Sequence, residues 1–214
     1  MLDKFIEQGY IHLEQVIPQD LLKEVRSRSI HLKNKYKSFV GSPRHNGSGK
    51  FWDGLELAST LDPNLWKAYT SKFMFDISKE LLQTPKVYLY NDQVVVKLPN
   101  EDFYFSSHFD NQYVKDSNAA INGDFKTINC CWVLTNMPDE TGPLSCLNRK
   151  TGEFDLLPAK AGDMIIIDGN THHSSTINKS DQIRALYACV YSSEAIGDYQ
   201  KGYYNEEFLH IYNK

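Results

Sequence analysis

AGDMIIIDGNTHHSSTINKSDQIRALYACVY, residues 161–191, decides how the rest of the chain is read. Gly162-Asp163 is a turn pair, and Met164–Asp168 behind it is a short apolar run of strand length. Two adjacent histidines follow, His172 and His173, and Arg184 then opens a second apolar run ending at Tyr191. On a strand Arg184 shares a face with Leu186, Ala188 and Val190. If that face is core, the guanidinium needs an anionic partner, because an unpaired buried charge is very costly.

Upstream, Val87–Tyr90, Gln93–Leu98 and Thr127–Thr135 have the same character: short, β-branched or aromatic, bounded by turn residues. Pro143, Gly152, Pro158 and Gly162 punctuate the later turns. Several short strands of this kind predict an antiparallel sandwich or jelly roll. The first third reads as helical. Pro18 opens a stretch with Leu21, Val25, Leu32 and Tyr36 at helical spacing, and Asp62-Pro63 is an N-cap with proline at the first helical position. Behind it Trp66, Tyr69, Phe73, Ile77 and Leu81 predict one helical face. The Gly/Ser/Pro/Asn-rich segment from Gly41 to Gly54 is a loop, and its Arg44, His45 and Lys50 read as solvated. One domain is expected over 1–214, with a mainly helical part at 1–85, a β core at 86–192 and a tail at 193–214.

A net charge of −4 and the lack of a basic stripe argue against a nucleic-acid role. The three lysines between Lys33 and Lys37 read as a solvated helix face. No apolar run has membrane-spanning length, and the start MLDKFIEQGY lacks the apolar region of a signal peptide. Cys130, Cys131, Cys146 and Cys189 lack CxxC spacing and read as buried thiols in a reducing, cytoplasmic setting.

The chemistry-bearing residues start with Ser106-Ser107-His108-Phe109-Asp110. On a strand His108 and Asp110 point the same way, so one imidazole and one carboxylate can share a cation. Chance predicts about 0.5 such pairs in a chain with this many histidines and aspartates, so the pair alone decides little. A second histidine from a distant strand completes a facial triad suited to iron(II), and zinc would accept the same ligands. Asp163 reads as a turn cap and Asp168 as a strand end. His12, His31, His45 and His210 lack ligand-like company. Phe103, Tyr104 and Phe105 read as strand packing.

HFD at 108–110, GPL at 142–144, GD at 162–163 and the HxSxxN set His173, Ser175 and Asn178 followed by Arg184 together resemble the phytanoyl-CoA dioxygenase family. The opening FIEQGYIHLEQVIPQDLL resembles that family's first strand and helix, so the likeness spans nearly the whole chain. It implies a double-stranded β-helix and an oxygenase using Fe(II), 2-oxoglutarate and O2 on a small-molecule substrate. By position it makes His108, Asp110 and His173 the metal ligands, with His173 preferred to His172. It gives Arg184 and Ser175 the distal carboxylate of 2-oxoglutarate, and puts Trp132, Gln93 and Lys97 beside the co-substrate. The chain departs from the family after GPL, where it reads GPLSCLNRKTGEF, which puts inherited substrate specificity in doubt, and it is short for the family, which argues against an extensive acyl-CoA-binding apparatus. Asp110 retains the carboxylate that related halogenases lack, so hydroxylation is the expected outcome. Two alternatives stay open: a cupin-like metalloenzyme that does not use 2-oxoglutarate, and a non-catalytic binding protein on the same fold.

Overall fold

A computed structural model describes residues 1–36, 55–56, 58–113 and 125–195. The loop at 41–54, with Arg44, His45 and Lys50, and His210 lie outside the described residues. The N-terminal part contains α1 (Leu2–Gln8), β1 (Tyr10–Leu13), α2 (Gln19–Lys35), β2 (Leu55–Glu56), α3 (Ala58–Leu61), α4 (Pro63–Tyr69) and α5 (Lys72–Leu82). The strands that follow are β3 (Tyr88–Lys97), β4 (Phe105–His108), β5 (Thr127–Val133), β6 (Leu144–Leu147), β7 (Phe154–Leu157), β8 (Met164–Asp168), β9 (His173–Ser175) and β10 (Arg184–Ser192).

Two antiparallel sheets form, a major one in the order β1-β8-β5-β10-β3-β2 and a minor one in the order β4-β9-β6-β7. Alternation along the major strands sends two sets of side chains to two cores. Ile128, Cys130 and Trp132 of β5, Met164 and Ile166 of β8, and Tyr187, Cys189 and Tyr191 of β10 pack under helices α2, α4 and α5. Cys131, Val133, Ile165, Ile167, Leu186 and Ala188 point the other way and meet Leu144, Cys146 and Leu157 of the minor sheet. Strand β10 is buried along its whole length, which explains why its sequence is nearly continuous in apolar residues. The jelly-roll expectation holds.

Several local readings need correcting. The two strands predicted around residue 90 are one strand, β3. The polar trio Asn91-Asp92-Gln93 resembles a turn, yet Asp92 is fully buried and accepts bonds from Ser59 N, Ser59 Oγ and Tyr187 Oη. The single helical face expected after Asp62 is broken into α4 and α5. Asp62 does cap α4, accepting from Asn64 N. At Thr70, however, the hydroxyl bonds back to Trp66 O, Ser71 turns extended, and Trp66 and Phe73 are left exposed. Tyr69 is drawn inward instead, its hydroxyl facing Asn91 O and Val190 O beside the bulge in the β3–β10 ladder. Lys33 is not solvated: it is buried and paired with Glu101 at 2.8 Å. All four cysteines are free and buried, as the composition predicts. Among the described residues no helix is long and apolar enough to cross a membrane.

Candidate metal centre and anion pocket

His108 is the last residue of β4 and His173 the first of β9, and the two are direct partners across the antiparallel pair. Their rings therefore lie on one face with centroids 4.4 Å apart. Each Nδ1 faces a backbone carbonyl that can only accept, Ser106 O at 2.8 Å and Thr171 O at 3.1 Å. That fixes the proton on Nδ1 and makes Nε2 the unprotonated nitrogen of each ring, the one able to ligate a cation.

Asp110 is not on the strand, contrary to the alternation argument. It opens a 3-10 turn, Asp110–Tyr113. Asn111 clips that turn to the main sheet: its N–H donates to Gly169 O at 2.9 Å, its Nδ2 donates to Asn170 Oδ1 at 3.0 Å, and its Oδ1 accepts from Thr127 Oγ1 at 2.6 Å. The turn brings Asp110 Oδ1 to 3.8 Å from His108 Nε2 and 3.6 Å from His173 Nε2. One ligand atom from each of the three residues lies within 4.8 Å of the others, so they can surround one cation with bonds of about 2.0–2.2 Å. Burial, then the neighbouring His173, pushes the His108 imidazolium toward loss of its proton, which suits a metal ligand.

At the other end of the inner face stand two buried basic side chains. Arg184 is 1% exposed, and none of its three guanidinium nitrogens has a hydrogen-bond partner among the described residues. Burial lowers it to about 10. Directly across the ladder is Lys97, fully buried, its Nζ donating to Ser175 Oγ at 2.7 Å and to Thr176 O. Burial, and secondly Arg184, push Lys97 down to about 6. The Phe103 ring lies beside this group, its centroid 5.5 Å from the Lys97 nitrogen. The Cys131 thiol lies within electrostatic reach of both Asp110 and Arg184, and burial chiefly lifts it to about 12, so it stays protonated.

Of the residues named from the sequence, the structure brings His108, Asp110 and His173 together, and separately gathers Arg184, Lys97 and Ser175. Gln93 is on the same inner face by alternation, half-buried and opposite Ala188. Trp132 is a correction. Its parity on β5 turns it away from the site into the helical layer, where its ring lies 6.3 Å from that of Tyr187. His172 faces outward beside Phe109. Asn178 braces the loop before β10, its Nδ2 facing Lys97 O, Leu98 O and Gln182 O. Asp163 caps its turn as expected, receiving Gln15 N, Gln15 Nε2 and Lys160 N, and it also pairs with His12. Sequence reasoning missed Asn129, whose Nδ2 donates to Asp110 Oδ2 at 3.1 Å. The available signal was its parity with Cys131 and Val133 on β5.

No protein-family model matches the chain, and no curated protein matches it by sequence. Solved structures do. The non-heme alpha ketoglutarate dependent epimerase SnoN from nogalamycin biosynthesis superposes with a TM-score of 0.74 at 18% identity, covering 89% of this chain and 80% of that one. EctD from S. alaskensis, solved with 2-oxoglutarate and 5-hydroxyectoine, gives a TM-score of 0.74 at 18% identity over 89% of this chain and 74% of that one. AviO1 from Streptomyces viridochromogenes Tue57 gives 0.72 at 15% identity over 91% and 94%. Identities this low establish a shared architecture, and that architecture is the double-stranded β-helix.

Proposed function

We propose that this chain is an iron(II)- and 2-oxoglutarate-dependent oxygenase that hydroxylates a small molecule. The observation that carries the reading is Arg184, a buried guanidinium whose three nitrogens have no partner among the described residues, on the same inner face as a His-Asp-His cluster. A buried cation left without a partner costs several kcal/mol, on the order of the penalty for breaking a buried ion pair. A carboxylate bound between Arg184, Lys97 and Ser175 offsets that cost, and arginine donates to it as a two-pronged fork. Solved structures of the same architecture with 2-oxoglutarate bound, and others named for dependence on it, support this choice of anion.

His108, Asp110 and His173 would hold the metal. When bound, iron and 2-oxoglutarate supply the oxidation: O2 is consumed, succinate and carbon dioxide leave, and one oxygen atom enters a substrate C–H bond. The protein's own part is placement and exclusion of water. Val95, Leu186, Ala188 and Cys131 present apolar surface between the two ends of the site. Gln93 offers an amide beside that surface. SnoN is described as an epimerase and SnoK as a carbocyclase, so product analysis by mass is needed to separate hydroxylation from other outcomes.

Anaerobic addition of iron(II) and then 2-oxoglutarate is expected to produce a weak visible charge-transfer band, and Arg184→Ala is expected to weaken co-substrate binding. Absence of the band, or co-substrate affinity unchanged in the variant, would sink the proposal. Oxygen consumption independent of 2-oxoglutarate would favour the cupin-like alternative. A panel of small polar metabolites, read by succinate release, identifies the substrate.

A further inference from the structure

We infer that Asn129 is a positioning residue for the Asp110 carboxylate, and that the Cys131 thiol sets the orientation of the Asn129 amide. The inference rests on the reading of His108, Asp110 and His173 as a metal site.

Asp110 is carried by a short turn, and its side chain is 23% exposed, so the strand geometry that fixes the two imidazoles does not fix the carboxylate. Asn129 does stand on a rigid support. It lies in the middle of β5, opposite Val190 of β10 and Ile167 of β8. Its Nδ2 donates to Asp110 Oδ2 at 3.1 Å, and the other oxygen, Oδ1, is the one nearest both Nε2 atoms. The bond therefore assigns the two carboxylate oxygens different tasks: one is held by the sheet, the other faces the cation.

An asparagine amide can present either end to a neighbour, and its oxygen end would repel a carboxylate. Cys131, two residues along and on the same face, removes that ambiguity: its Sγ lies 3.4 Å from Asn129 Oδ1, as donor to acceptor. The oxygen end is thereby occupied, and the NH2 end is directed at Asp110. A partner that orients a metal-bound carboxylate is worth about 10–100-fold in metal affinity.

The test uses the full-length chain and cobalt(II), an oxygen-stable probe with visible absorption. Titration of the wild type should saturate with a single set of bands. Asn129→Leu, similar in volume but without a donor, is expected to bind cobalt(II) about 10–100-fold more weakly, with shifted bands at saturation as the carboxylate changes its mode of binding. Asn129→Asp, closest in shape, should also weaken binding, and it serves if the leucine variant does not fold. Cys131→Ser keeps a donor and should lose less affinity than Cys131→Val, which has none. A purely structural role would lower melting temperature without moving the bands. Wild-type affinity and bands in folded Asn129→Leu or Asn129→Asp overturn the inference while leaving the metal site intact. Failure of the wild type to bind cobalt(II) or iron(II) overturns the metal-site reading itself, and the inference with it.

Discussion

Lys97 and Arg184 face one another across β3 and β10, and their burial makes the pocket sensitive to protons. An uncharged Lys97 amine has two N–H donors, matching the two acceptors it meets, Ser175 Oγ and Thr176 O. Burial, with Arg184 adding to it, lowers this group to about 6, whereas in the unfolded chain it titrates near its ordinary value of about 10.4. Between those limits the unfolded chain binds a proton that the folded chain does not, so this group makes stability rise with pH across that window. Lys97→Met is expected to flatten the rise of stability between about pH 6 and 9, read from denaturant melts at several pH values. A carboxylate beside Lys97 favours its charged form. Binding of 2-oxoglutarate near pH 7.5 is therefore expected to take up as much as one proton, seen as a buffer-dependent enthalpy in calorimetry and lost in Lys97→Met. Binding heats that are independent of the buffer would contradict it. At this scale the sequence was informative about Arg184, because a cation opening an apolar strand demands a partner. It was silent about Asn129, since an amide in a strand carries no signal until its neighbour is known.

Elements explain how the HxD pair comes together although strand alternation does not deliver Asp110. Strand alternation was meant to align His108 with Asp110, but the chain leaves β4 after His108 and a 3-10 turn returns the carboxylate to the same place. The turn holds its position because Asn111 is clamped between the end of β8 and the start of β5, next to Gly169. A Cβ at Gly169 would lie 1.8 Å from Thr127 Oγ1 and 2.6 Å from Asn111 Oδ1, so the glycine is required by close approach. Gly169→Ala is expected to force the clamp apart, lowering stability by about 1–3 kcal/mol as overpacking does. It should also weaken metal binding tenfold or more, through displacement of Asp110. Isothermal titration with the metal and a thermal melt on the same variant check both effects; unchanged metal affinity would mean the turn is positioned by other contacts. The buried strands β8 and β10 were legible because continuous apolar runs have few other uses. The minor sheet was not, since β4, β6, β7 and β9 are three or four residues each and FSSH, LSCL, FDLL and HSS carry no periodicity to read.

The molecule as a whole divides its major sheet into a face packed under the helices and a face that meets the minor sheet and the His-Asp-His cluster, and Trp132 separates the two. Family resemblance put this residue beside the co-substrate; parity on β5 puts it under the helices, in one core with Tyr187, Met164 and Leu65. Its immediate neighbours in sequence, Cys131 and Val133, belong to the inner face. The sequence could not decide between these faces, because both are buried and a strand apolar on both sides has no polar residue to mark outside. Trp132→Ala is accordingly expected to cost about 3–5 kcal/mol of folding free energy, the usual toll for emptying a buried aromatic site. Denaturant unfolding of the apoprotein measures that loss. Below the transition, the fraction that remains folded should bind cobalt(II) with wild-type affinity, since the triad is carried by β4, β9 and the 3-10 turn on the far side of the sheet. A matched inner-face change, Leu186→Ala, should show the opposite balance: a comparable cavity cost of about 2–5 kcal/mol, accompanied by weaker 2-oxoglutarate binding because Leu186 is two residues from Arg184 on the same face. Weaker co-substrate binding in Trp132→Ala, with Leu186→Ala unaffected, would reverse the assignment of the two faces.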